Sequence, residues 1–244
     1  EKIVLGANAL GVECLSLYSF SLQNWKRPVM EVDFLMHLFT RYLVSMRAIM
    51  MDNNVRLRHL GRIEGLPEAL RFEMEKTIEI TSKNDGMILG LAMNYGGREE
   101  IVDAVKQIAQ EVKTEKLNIS DIDENTIAQR LYTAGITDPD LIIRTSSELR
   151  ISNFLLWHLA YSELYFTPLM WPDFDKKQFN TIKKEGHKLV DIPYTSENEW
   201  YQQASKSVAA KIQEEQSKRF QEALAERERE KEIQELEKQI DDLL

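Results

Sequence analysis

Cysteine is almost absent. The single Cys14 in 244 residues rules out an internal disulfide and makes a reducing compartment the simpler reading. It sits in the apolar run Gly11 to Tyr18 with no His or Lys written nearby to activate it, so packing is its expected role. Long apolar runs are missing as well. No stretch reaches the roughly 18–20 residues that cross a bilayer, and no basic-then-apolar leader opens the sequence, so the expected location is the cytoplasm or its membrane face. Positive charge is in short supply, with 31 Lys and Arg against 40 Asp and Glu giving a net charge of -9. That balance excludes a general nucleic-acid binder and leaves room for a local basic pocket. There is no CxxC, HExxH, EF-hand loop, GxxxxGK[ST] or GxSxG, and His37, His59, His158 and His187 are scattered.

What is present is enough apolar residue, 43% of the chain, for one sizeable core and an appendage. Four apolar runs have strand character: Val12 to Phe20, Val55 to Leu60, Met87 to Met93 and Asp140 to Arg144. Helix-period segments lie between and after them, at Val29 to Met46, Pro67 to Lys83, Arg98 to Val112 and Asp123 to Ala134. This alternation predicts an α/β fold with a mostly parallel central sheet flanked by helices. The chain opens on Glu1 within a predicted helix, Glu1 to Leu10, and reads as a piece of a longer protein. Near Asp191 the composition shifts. Residues 197–244 hold 13 acidic and 8 basic residues and neither Gly nor Pro. The expected organisation is a domain over 1–190, a linker over 191–198 and a charged helix over 199–244, where Ile233, Leu236, Ile240 and Leu243 have the spacing of a short coiled-coil seam.

Ligands of such sheets bind beyond the carboxyl ends of the strands, so the exits carry the information. The first exit presents Ser21, Asn24, Trp25 and Arg27, the third Asn94, Gly96, Gly97 and Arg98, and the fourth Arg144, Glu148, Arg150 and Ser152. The second, Gly61 to Pro67, reads as an ordinary turn. Arg144, Arg150 and Ser152 converge if a helix begins near Ser152 or Asn153, and two guanidiniums, a hydroxyl and helix amides suit a diphosphate. A loop in which Glu148 neutralises one arginine explains the same residues. At the first exit, Ser21 and Asn24 beside Phe20 and Trp25 suit a polar head with a greasy tail, or else a capped turn over a core tryptophan. Gly96-Gly97 allows close backbone approach or marks a helix start.

In this order the exits resemble the cis-prenyltransferases, most closely the undecaprenyl diphosphate synthase group. The matching text is SLYSFSLQNWKRPVMEVDFLM, NNVRLRHLG, LAMNYGGREEIVDA and DLIIRTSSELRISNFLLWHLAYSELYF followed by WPDF. The resemblance implies a homodimeric enzyme with a hydrophobic tunnel beside its sheet, joining isopentenyl diphosphate in cis to an allylic diphosphate such as farnesyl diphosphate, with product released towards a membrane surface. It implies that Arg144, Arg150, Ile151 and Ser152 hold isopentenyl diphosphate, that Ser21, Leu22, Gln23, Trp25 and Arg27 line the allylic site, that Asn24 handles the proton, and that Glu163 helps hold Mg2+. The family's opening strand, with its metal-binding Asp-Gly-Asn loop, has no counterpart in these residues. Ser147 stands where the family usually has Gly, which predicts strain if that position needs positive φ, and His158 where Gln is common. The alternative is a catalytically inactive subunit of the same fold, acting through its dimer surface and C-terminal helix.

Overall fold

A computed structural model describes residues 1–174, 177–178 and 181–182. After the short helix α1 (Lys2–Ala9), the chain alternates β1 (Cys14–Ser21), α2 (Val29–Asp52), β2 (Arg56–Leu60), α3 (Glu68–Ile80), β3 (Ile88–Tyr95), α4 (Gly97–Lys113) and α5 (Glu124–Ala128), then β4 (Leu141–Arg144) and β5 (Glu163–Phe166). All four strands expected from apolar runs form. The fifth, β5, is only four residues long and too short to show a period. It gains its hydrogen bonds from β4, in a ladder that opens with the Glu163 amide donating to Asp140 O at 2.9 Å.

Among the described residues every strand pairing is parallel, but the single sheet expected is two ladders, ordered β1-β3-β2 and β4-β5. β3 is central in the first and mostly buried, which explains why its sequence is nearly unbroken apolar residue. The register of β1 on β3 slips twice near the carboxyl ends, Tyr18 facing Ala92, Phe20 facing Met93 and Ser21 facing Tyr95. Ser19 and Asn94 are the unpaired residues of those slips, which bend the exits. Phe20, Leu57, Leu70, Met74 and Met93 form the centre of the core, and Leu141, Ile143 and Tyr165 of the second ladder pack against it. Arg47 joins α2 to α3 by donating Nε to Thr77 at 2.8 Å and pairing with Glu73.

Helix α5 ends well short of the expected Ala134. Its start is as read, with Asp123 capping Thr126 N at 2.7 Å and the Thr126 hydroxyl facing Asp123 N at 3.2 Å. Its end follows from Arg130, whose guanidinium takes the Thr126 carbonyl in place of a backbone amide. No helix begins at Ser152 either: Ser152 and Asn153 have φ of 51° and 63°, which a right-handed first turn cannot use. Among the described residues no helix is long and apolar enough to cross a membrane. The expected linker and charged helix over 191–244 lie outside the described residues.

Candidate active site

The three polar exits are tied together at the carboxyl ends of β1 and β3. The Tyr18 hydroxyl reaches Tyr95 O at 3.4 Å and Ser152 O at 3.3 Å, and its ring stacks on Phe154 at 4.5 Å. Burial is the main cause that pushes the Tyr18 phenol up, so it remains a neutral donor.

At the first exit, Leu22–Lys26 form a single 3-10 turn. The Asn24 carboxamide oxygen accepts from Ser21 N at 2.7 Å and from Ser21 Oγ at 3.0 Å, so both of its lone pairs are engaged. Phe20 is core, with Trp25 edge-on to it at 5.0 Å. The Trp25 indole N–H donates to Asn94 Oδ1 at 2.7 Å, and Asn94 Nδ2 donates to Arg62 O at 2.8 Å. The second exit, read as an ordinary turn, is therefore part of the brace. A Cβ on Gly65 would stand 2.3 Å from Asn94 Nδ2, which explains the glycine. Arg62 continues the brace to Asp103 at 2.7 and 2.8 Å, and Tyr132 donates to the same carboxylate. The hydrogen bond from Arg62, first among several causes, holds the Asp103 carboxyl below the usual range. Leu22 is half-buried, Gln23 is exposed, and Arg27 pairs with Glu31 at 2.8 Å on the surface.

The fourth exit carries the charge. Arg144, at the end of β4, is half-buried and makes no ion pair among the described residues. Burial pushes its guanidinium down, Glu148 opposes that, and Arg150 adds to it. Arg150 is exposed and pairs with Glu148 at 2.8 Å, so the salt-bridged loop weighed from sequence exists for that arginine alone. Ile151 is half-buried. Ser146, Ser147, Ser152, Asn153 and Leu155 all have positive φ, between 47° and 72°. Each left-handed L-residue costs about 1–2 kcal/mol, so the conformation expected to strain Ser147, at 55°, is the one present. Backbone bonds hold it, from Ser146 N to Leu169 O at 2.8 Å and from Ser147 N to Thr167 O at 3.1 Å.

Glu163 does not join this group. It faces Leu141 at the amino end of the β4-β5 ladder, whereas Arg144 faces Phe166 at the carboxyl end, roughly 10 Å further along the strands. Glu148 is engaged by Arg150, and among the described residues no group of three or more His, Cys, Asp or Glu is placed to hold a metal.

Sequence reasoning missed one cluster, behind the loop. Glu100 on α4 is fully buried and accepts from the Tyr95 hydroxyl and from Tyr132 N at 3.0 Å, with His158 Nε2 at 3.7 Å. His158 also meets Thr133 at 2.7 Å and Asp138 at 2.9 Å. Burial works against the imidazolium, yet Glu100 and Asp138 outweigh it and raise the pKa above 6.5. A Glu within the amphipathic pattern of α4 looks like any surface acid, so only its partners reveal it. Cys14, next to Ser16, has its thiol pushed up by burial, as a packing residue should.

The family model described as "Putative undecaprenyl diphosphate synthase" matches residues 1–187. The chain is 49% identical over 179 residues to an isoprenyl transferase of Geobacillus kaustophilus, covering 73% of this chain and 70% of the relative. It is 50% identical to those of Bacillus subtilis, covering 71% and 66%, and Streptococcus mutans, covering 77% and 78%. The matched segment thus spans from just under two thirds to nearly four fifths of these relatives. Among solved structures, it resembles lavandulyl diphosphate synthase from Lavandula x intermedia in complex with dimethylallyl diphosphate, with a TM-score of 0.73 and 38% identity over 75% of this chain and 80% of that one. It also resembles a "probable undecaprenyl diphosphate synthase" from Campylobacter jejuni, with a TM-score of 0.68 and 34% identity over 78% and 88%. Sequence, parallel α/β fold and exit motifs agree: the chain belongs to the undecaprenyl diphosphate synthase family, the isoprenyl transferases, prenyltransferase enzymes of isoprenoid biosynthesis.

Proposed function

We propose that this chain forms the isopentenyl diphosphate site of a polyprenyl diphosphate synthase that condenses isopentenyl units in cis onto an allylic diphosphate such as farnesyl diphosphate. The observation that carries the reading is the half-buried Arg144, which lacks a carboxylate partner among the described residues and lies close enough to Arg150 to feel its charge. A desolvated guanidinium beside a second one is costly until an anion arrives, and a diphosphate matches their paired donors. Arg150 exchanges Glu148 for the ligand, and the Ser152 hydroxyl adds a donor.

With both carbonyl lone pairs held by Ser21, Asn24 offers the substrate its Nδ2 donor. That suits a diphosphate oxygen better than it suits proton abstraction. Ser21, Leu22, Gln23, Trp25 and Arg27 would surround the allylic partner. In the reaction the allylic C–O bond breaks, the freed carbon joins the terminal carbon of the isopentenyl double bond, and a proton and inorganic diphosphate leave. Charge developing on the departing diphosphate is met by donors already in place. Met36 and Leu43 of α2 are core and Phe34 is half-exposed, so Phe34 is the better candidate for a tunnel wall. A homodimer, release towards a membrane surface, a cytoplasmic setting and the 1–190, 191–198 and 199–244 division belong to the same proposal.

The test is incorporation of radiolabelled isopentenyl diphosphate with farnesyl diphosphate and Mg2+. Chain-lengthened product that Arg144→Ala abolishes is the expected result. The alternative is a catalytically inactive subunit of the same fold that keeps the diphosphate receptor. Binding of isopentenyl diphosphate without incorporation would favour it.

A further inference from the structure

Resting on Arg144, Arg150 and Ser152 as the diphosphate receptor, we propose that Asn153 is a positioning residue for that receptor, docking the loop onto the first turn of α4 and so fixing the backbone that presents Ser152 and, through it, the arginines. Ser152 and Asn153 are consecutive left-handed residues, a conformation that persists only where surrounding contacts impose it. Asn153 supplies those contacts from both side chain and backbone. Its Oδ1 accepts from Arg98 N at 2.9 Å, its Nδ2 donates to Glu99 Oε2 at 3.0 Å, and its carbonyl accepts from Gly97 N at 2.8 Å. Two amides that a helix start leaves without partners are thus satisfied by one residue of the loop.

The approach is close enough to explain the paired glycines. A Cβ on Gly97 would stand 2.8 Å from Leu156 Cγ and 3.0 Å from Leu156 N, and one on Gly96 would stand 2.8 Å from Asn153 Nδ2. The Gly96-Gly97 step therefore admits the loop. The first amides of α4 hold protein groups, so the helix acts on the substrate through the loop it anchors. Among the described residues, Asn153 makes the only side-chain hydrogen bonds that 151–155 sends to another element, and the Tyr18 hydroxyl on Ser152 O is the second tether.

The test is calorimetric titration of the full chain with isopentenyl diphosphate, and with inorganic diphosphate as a head-group control. Asn153→Asp tolerates the left-handed backbone and keeps an acceptor for Arg98 N, but sets a carboxylate against Glu99. Like charges at that distance should weaken binding roughly tenfold with little change in melting temperature, and adding Glu99→Gln should bring affinity back to within about twofold. Rescue by the double variant is something a merely structural asparagine would not give. Binding by Asn153→Asp within about twofold of the unaltered chain, or a loss that Glu99→Gln leaves in place, overturns the proposal. If Asn153→Asp does not fold, Asn153→Gly keeps the backbone and drops the side-chain bonds, and unaltered affinity there overturns it equally. Arg144→Ala and Ser152→Ala separate the two readings: normal binding by both removes the receptor and the inference with it, whereas loss by both with unaffected Asn153 variants removes the inference alone.

Discussion

Replacing Glu100 with alanine should cost the fold about 4 kcal/mol. The carboxylate is fully buried and serves the Tyr95 hydroxyl and the Tyr132 amide, with the ring of His158 at 3.7 Å. Alanine leaves two buried donors without acceptors, each costing about 1–3 kcal/mol, and takes from His158 one of its two carboxylates. Glutamine keeps one acceptor oxygen and should cost less, about 1–2 kcal/mol. Urea unfolding followed by far-UV circular dichroism at pH 7 reads both variants, and the alanine variant should also melt about 10 °C lower. A loss below about 1 kcal/mol for Glu100→Ala would mean that water reaches the cluster and would refute the argument from burial.

His158 makes stability depend on pH. Its folded pKa is raised, so the stability it contributes is complete below about pH 6.5 and is lost as pH rises through the folded value; His158→Gln should flatten that slope in unfolding free energies measured from pH 6 to 9. Ser147→Gly relieves a left-handed serine at the expense of a looser unfolded chain, for a net gain of about 0.5–1 kcal/mol in the unfolding free energy from urea titration, and no gain would show that the loop's contacts already offset the strain. Asn94→Ala frees the Trp25 indole and the Arg62 carbonyl together and should cost about 2 kcal/mol; wild-type stability in the same assay would show that the brace contributes nothing.

Strands, helices and the three polar exits were legible because each rests on a local pattern: apolar runs for β1 to β4, period for α2 to α4, and Arg with Ser or Asn at the exits. What was not legible depends on partners distant in sequence. The Gly61 to Pro67 turn looked ordinary because its role is to accept from Asn94, 32 residues on from Arg62. β5 needed β4 to exist. The helix start near Ser152 or Asn153, weighed against a salt-bridged loop, does not form because the loop commits its backbone to docking on α4, and nothing in the order Arg-Ile-Ser-Asn announces φ above zero. The family motif located Glu163 correctly as text, and only the ladder register revealed that it sits at the other end from Arg144.

The run of left-handed residues from Ser146 to Leu155 also sets which substitutions this loop can accept. Valine, isoleucine and threonine are disfavoured at all five such positions by their branched Cβ, whatever the substrate, while glycine and asparagine are admitted. As the proposed diphosphate receptor, Arg144 and Arg150 would face the opposite restriction: many side chains satisfy the backbone there and few would satisfy a diphosphate. A saturation library across this loop, sorted once for folding and once for ligand binding, would therefore divide a single stretch into two interleaved sets of positions, one constrained by torsion and the other by charge.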